Sequence, residues 1–138
     1  MSTKEELKKS FNVFVDQENN IISIVFIDEA KNIDDNVLQT KLVEERLTRA
    51  LKEHRDKKFR VLVDIFDLGK GSGDISIPET RQAYQRMAEQ KQIEKIAVVL
   101  SENTVLEVMA NMVVKAIGKD RNFKIFHNRQ EAMVWIRK

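Results

Sequence analysis

The sequence predicts an α/β fold: a mainly parallel five-stranded sheet with an antiparallel N-terminal strand and four helices. Three observations carry that expectation. Short apolar runs alternate with segments of three- and four-residue apolar spacing, which implies parallel strands joined by right-handed helical crossovers. The first two runs are separated by "QENN" (17–20), too short for a crossover and rich in turn formers. Apart from those two runs, every strand-like segment is followed by a helical one.

The elements follow in order. "MSTKEELKKS" (1–10) is hydrophilic and reads as a loosely ordered tail with no apolar signal region, so secretion is not expected. "FNVFVD" (11–16) alternates in polarity, and "IISIVFI" (21–27) is almost wholly apolar, as a strand buried on both faces would be. From Asp34 or Asp35 to His54 the pattern is helical, with Val43, Leu47, Ala50, Leu51 and His54 on one stripe. Lys41–Glu45, Glu45–Arg49 and Arg49–Glu53 pair four apart on its wet face. "FRVLVDIF" (59–66) is the third strand. Residues 79–92 give a surface helix with a narrow stripe of Ala83, Tyr84, Met87 and Ala88. "KIAVVL" (95–100) is a buried fourth strand, 101–118 a helix with Ser101 as N-cap and Gly118 as its stop, "FKIF" (123–126) a fifth strand and "RQEAMVWIRK" a closing helix. No linker or internal repeat interrupts the chain, so residues 1–138 read as one domain, long enough to bury roughly two thirds of its unfolded surface.

Composition narrows the function classes. With 42% hydrophobic and 33% charged residues the chain reads as globular, and no apolar run approaches the ~20 residues of a membrane span. Cysteine is absent, which excludes disulfides and thiolate chemistry, and a cytoplasmic protein is the simplest expectation. Net charge is +2 but uneven: residues 1–69 hold 12 basic and 14 acidic side chains, residues 70–138 hold 12 and 8. Lys115, Lys119, Arg121, Lys124, Arg129, Arg137 and Lys138 make the late basic excess, and aromatic side chains do not interleave with them as a base-stacking surface would want, so no nucleic-acid partner is expected.

"DLGKGSGDISIPET" (67–80) holds three of the four glycines and the only proline. Gly69-Lys70-Gly71-Ser72 has the letters of a phosphate-loop ending, but Asp64 occupies the position of the glycine such a loop requires. Ser76-x-x-Glu79 reads as a capping box with Pro78 in the first turn, and the loop as a glycine-rich connector available for recognition. A nucleophilic triad could gather only from Ser101, His127 and Asp67, at neighbouring strand ends, and the chain is expected not to be an enzyme. No paired spacing of metal ligands occurs, and no cofactor is expected. Asp64, alternating with Leu62 and Phe66, reads as a half-buried carboxylate that either accepts N–H groups of the next loop or contacts a ligand. On the 104–118 helix, Val105, Leu106, Met109, Met112, Val113, Ala116 and Ile117 span an arc of roughly 200°, wider than the ~100° a surface helix needs. Deep burial explains that width; the alternative is an apolar interface or pocket at Val105, Met109 and Met112, and with it a weak homodimer.

"KIAVVLSEN" and above all "FKIFHNRQEAMVWIRK" resemble the fourth strand and the closing strand–turn–helix of SpoIIAA-like domains. That fold is shared by STAS domains (sulfate-transporter and anti-sigma-factor-antagonist domains) and a group of bacterial relatives. The resemblance covers residues 11–138 and implies a non-enzymatic protein-binding or regulatory module. Distant lipid-binding relatives suggest the alternative, a carrier of a small apolar or amphipathic ligand. In anti-sigma-factor antagonists an Asp-Ser-Ser-Gly segment opens the helix after the third strand. Here the corresponding residues are Asp74-Ile75-Ser76-Ile77, so the phosphorylation motif is absent. The resemblance places partner contacts at the carboxyl ends of the strands, where Asp67, Lys70, Ser72, Asp74, Ser76, Ser101, Asn103 and His127 are the candidate residues.

Overall fold

A computed structural model describes residues 3–28, 30–65, 77–101 and 122–138, together with positions 111, 115 and 118. Among them are strands β1 (Phe11–Asp16), β2 (Ile21–Phe26), β3 (Phe59–Asp64), β4 (Ile93–Val99) and β5 (Phe123–Phe126). The helices are α1 (Lys4–Lys8), α2 (Ile33–Glu53), α3 (Pro78–Ala88) and α4 (Arg129–Arg137). The strands form one sheet in the order β1-β2-β3-β4-β5. The β1–β2 pair is antiparallel and the three others are parallel. The predicted architecture is therefore present.

The hairpin turn shows how local chemistry sets register. Asp16 Oδ1 accepts the N–H groups of Glu18 and Asn19 at 3.1 and 3.2 Å, and Asn20 takes φ 55°, a left-handed conformation that asparagine tolerates. Bonds from the Asn19 side chain and backbone hold the Asp16 carboxyl below its usual range. Phe11 thereby faces Phe26, and Asp16 faces Ile21.

Two hydrophobic clusters flank the sheet. On one side Ile22, Ile24, Phe26, Phe59, Val61 and Ile96 pack with Leu42, Val43, Leu47 and Leu51 of α2 and Ala83 and Met87 of α3. Two right-handed crossovers that step the same way along a sheet leave both helices on one side. α4 packs on the opposite face, with Ala132 and Ile136 against Leu62, Ala97, Val99 and Phe126.

Three expectations need correction. The N-terminal segment is not a loose tail from Lys4 onward. Thr3 and Glu6 form a reciprocal capping box on α1, and Leu7 is buried in the main cluster. The Arg46 side chain donates to Lys8 O at 3.2 Å, and buried Ser10 accepts from Gln39 Nε2 at 2.8 Å. One buried leucine and these bonds dock a helix too short to stand alone. The start of α3 also falls one place later than the Ser76 capping box requires. α3 starts at Pro78, its N-cap is Ile77, and Ile77 makes no side-chain cap bond. Proline holds its predecessor extended (Ile77 has φ −77°, ψ 119°) and itself takes the first helical position, so Glu79 stands one place short of the box. Ser76 lies outside the described residues. Finally, α3 ends at Ala88 rather than 92, because Gln92 turns its amide onto Leu51 O, His54 O and Lys57 O, 2.9–3.1 Å away.

Most of the predicted 101–118 helix lies outside the described residues. Positions 111 and 115 are helical, and Gly118 takes φ 77° with its N–H on Lys115 O at 3.1 Å, the left-handed ending expected of a glycine stop.

Candidate functional site at the carboxyl edge of the sheet

The carboxyl ends of β3, β4 and β5 stay hydrogen-bonded to their last residues and one step beyond. Ile65 N–H donates to Val99 O at 3.0 Å, and Leu100 N–H to Phe126 O at 2.9 Å. Asp64, the last residue of β3, is 7% exposed and accepts from Arg129 Nε through Oδ2 at 2.7 Å. The carboxylate is thus held by the first residue of α4, and the loop that follows β3 lies outside the described residues. Asn128 caps the same helix by accepting Glu131 N–H at 3.1 Å.

Ser101 and His127 come together here, as their strand-end positions predict. The contact is through backbone, however: His127 Nδ1 lies 3.2 Å from both Leu100 O and Ser101 O. A proton on Nδ1 serves both carbonyls, so the ring anchors the 100–101 backbone. Asp67, Lys70, Ser72, Asp74, Ser76 and Asn103 lie outside the described residues, as do Val105, Met109 and Met112. Among the described residues, no group of three or more histidine, aspartate or glutamate side chains could hold a metal ion.

Behind this edge lies a buried polar belt that sequence periodicity did not mark. Asn36, Gln39 and Thr40 of α2 and Thr80 of α3 are at most 2% exposed. Thr80 Oγ1 donates to Asn36 Oδ1 at 2.7 Å, Thr40 Oγ1 donates to Asn36 O at 2.9 Å, and Gln39 Nε2 reaches Ser10 Oγ and Asp28 O. Tyr84 joins through Thr40, although desolvation outweighs that bond and pushes its hydroxyl pKa well up. At the outer end of the seam, Arg86 grips Glu44 with two bonds of 2.8 Å. The signal was present: positions 36, 39 and 40 continue the Val43–Leu47 stripe toward the N-terminus, but with polar letters.

The SpoIIAA-like family model matches residues 23–137, most of the chain. The chain belongs to the SpoIIAA-like family. Searches of curated proteins and of solved structures returned no match. The SpoIIAA-like span begins inside β2 and ends with the last residue of α4, so it contains the β3–β4 and β4–β5 pairings whole and the β2–β3 pairing from Ser23 onward. At the position where anti-sigma-factor antagonists carry the motif glycine, Ile77 has ordinary negative φ and needs no glycine.

Among the described residues, no helix is long and apolar enough to cross a membrane. The surface charge looks different in space than along the chain. Lys124 lies over the Phe126 ring and Lys95 over the Trp135 ring.

Proposed function

We propose that this SpoIIAA-like chain is a non-enzymatic regulatory module of the cytoplasm that binds a partner protein along the carboxyl edge of its sheet. SpoIIAA-like and STAS domains are regulatory modules that often interact with proteins. The observation that carries the reading is the strand order. A sheet that winds steadily from β1 to β5 has no reversal, and in open α/β sheets it is the reversal that parts neighbouring crossovers and opens a deep ligand crevice. The polar groups described at the edge also serve the fold: Arg129 holds Asp64, and the His127 ring braces the 100–101 backbone. A broad edge built of loops and helix starts suits a protein surface better than a substrate cleft.

Asp67, Lys70 and Asp74 are the residues proposed to meet the partner, with Ser72, Ser76, Ser101, Asn103 and His127 around them. Native mass spectrometry of protein from its own source identifies the bound species. The variant Asp67→Ala, Lys70→Ala, Asp74→Ala is then expected to weaken partner binding and leave the melting temperature nearly unchanged. Unchanged affinity in that variant refutes the site, and a co-purified apolar small molecule in place of a protein supports the carrier alternative.

A further inference from the structure

We propose that the groove between β5 and α4 is a second docking surface, which takes an acidic, apolar-bearing segment of another protein laid along β5 as a sixth strand. It lies apart from the carboxyl edge and does not depend on that reading.

β5 is the terminal strand of the sheet. The Phe126 carbonyl turns inward to Leu100 N–H, so by the two-residue alternation of a strand the main-chain groups of Phe123 and Ile125 turn outward. An outward row of N–H and C=O groups is the template to which an extended peptide adds. Beside it the groove floor is apolar: Phe126 and Trp135 pack with ring centroids 5.7 Å apart, and Val134 is 57% exposed.

Charge selects the occupant. Arg60, Lys95 and Lys124 stand on the α4 face of three adjacent strands, and Arg137 and Lys138 end the helix that crosses them. Arg60 Nη1 donates to Ile136 O at 2.8 Å, and Lys95 Nζ to Trp135 O at 3.3 Å, so the positive charge gathers at the last turn of α4. Lys124 and Lys138 line the groove itself, with Glu131 toward the start of α4. Two cations on an apolar floor favour carboxylates interspersed with aliphatic side chains. A second copy pairing through β5 would set one Lys124 cluster against another, which costs energy. Single-stranded nucleic acid would need open aromatic faces for stacking, whereas Phe126 and Trp135 each carry a lysine.

The test titrates 15N-labelled protein with a short blocked peptide alternating valine and glutamate, beside a valine–lysine peptide and oligothymidylate. The glutamate peptide is expected to shift the amides of Phe123 and Ile125 and the indole N–H of Trp135, and added salt to weaken it. The variant Lys124→Glu, Lys138→Glu, at two exposed positions, should bind about tenfold more weakly. The Asp67, Lys70, Asp74 variant should bind the peptide normally, which separates this surface from the carboxyl edge. Absence of shifts at β5, equal binding of the lysine peptide, tighter binding of oligothymidylate, or a peptide-free dimer that protects β5 each overturns the proposal.

Discussion

Replacing Arg129 by methionine tests how α4 is fastened to the sheet. The Asp64–Arg129 bond is 2.7 Å long, and the two side chains are 10% and 46% exposed. A fully exposed pair contributes about 0.2–1 kcal/mol, while a hydrogen bond to a charged group in the interior contributes about 1.5–3 kcal/mol. With one partner buried and the other half in water, the coupling should fall between, near 1.5 kcal/mol. Arg129→Met alone should cost about 2 kcal/mol, since the buried carboxylate loses a donor as well as the pair. For a domain of this size that lowers the melting temperature by roughly 6 °C. Urea denaturation followed by Trp135 fluorescence, on the wild type, Arg129→Met, Asp64→Asn and the double variant, isolates the coupling. A coupling below about 0.3 kcal/mol would refute the assignment of this pair as the bolt between β3 and α4.

Three further outcomes are expected. Thr80→Val keeps the side-chain shape and removes the bond to Asn36, so it should cost about 1 kcal/mol in the same assay, and a neutral result would mean that the α2–α3 seam does not depend on its polar belt. Tyr84, the only tyrosine, has its pKa raised by burial, so the stability it contributes is complete below the ordinary value of 10.0 and is lost as pH climbs toward the folded value. Unfolding free energy should therefore fall above about pH 10 by at most ~1.4 kcal/mol per unit, more steeply than in Tyr84→Phe; identical slopes in the two proteins would contradict this. Leu7→Ala should undock α1 locally, so that the Leu7 and Ser10 amides exchange quickly while the Val61 amide keeps its protection, and an equal loss at all three would show that α1 unfolds only with the whole sheet.

The parts of this fold that could be read from sequence are those where one face of an element differs from the other. β5 and the start of α4 fall where the letters put them, because "FKIF" reads as a strand and "RQEAMVWIRK" as a helix. The first half of α2 was harder to read. Asn36, Gln39 and Thr40 are buried, yet hydrophobic periodicity sees only polar residues and assigns them to water. The Thr3-x-x-Glu6 box is of the same form as Ser76-x-x-Glu79, and only tertiary context tells them apart: Leu7 docks the first, whereas Pro78 moves the helix start past the second. Arg129 carries no local sign of its partner, since Asp64 is 65 residues away in the chain.

Steady strand order also has a consequence for synthesis. Each strand from β2 onward pairs with the one made just before it, so the sheet can lengthen in the order in which the chain emerges. Its second face cannot be closed in step, because Ala132 and Ile136, which cover Leu62, Ala97 and Val99, come after all of them. At about 5–20 residues per second, Leu62 waits for Ile136 for several seconds or longer. During that interval the nascent sheet exposes an apolar face on which chaperones can act, and any truncation before α4 makes that exposure permanent.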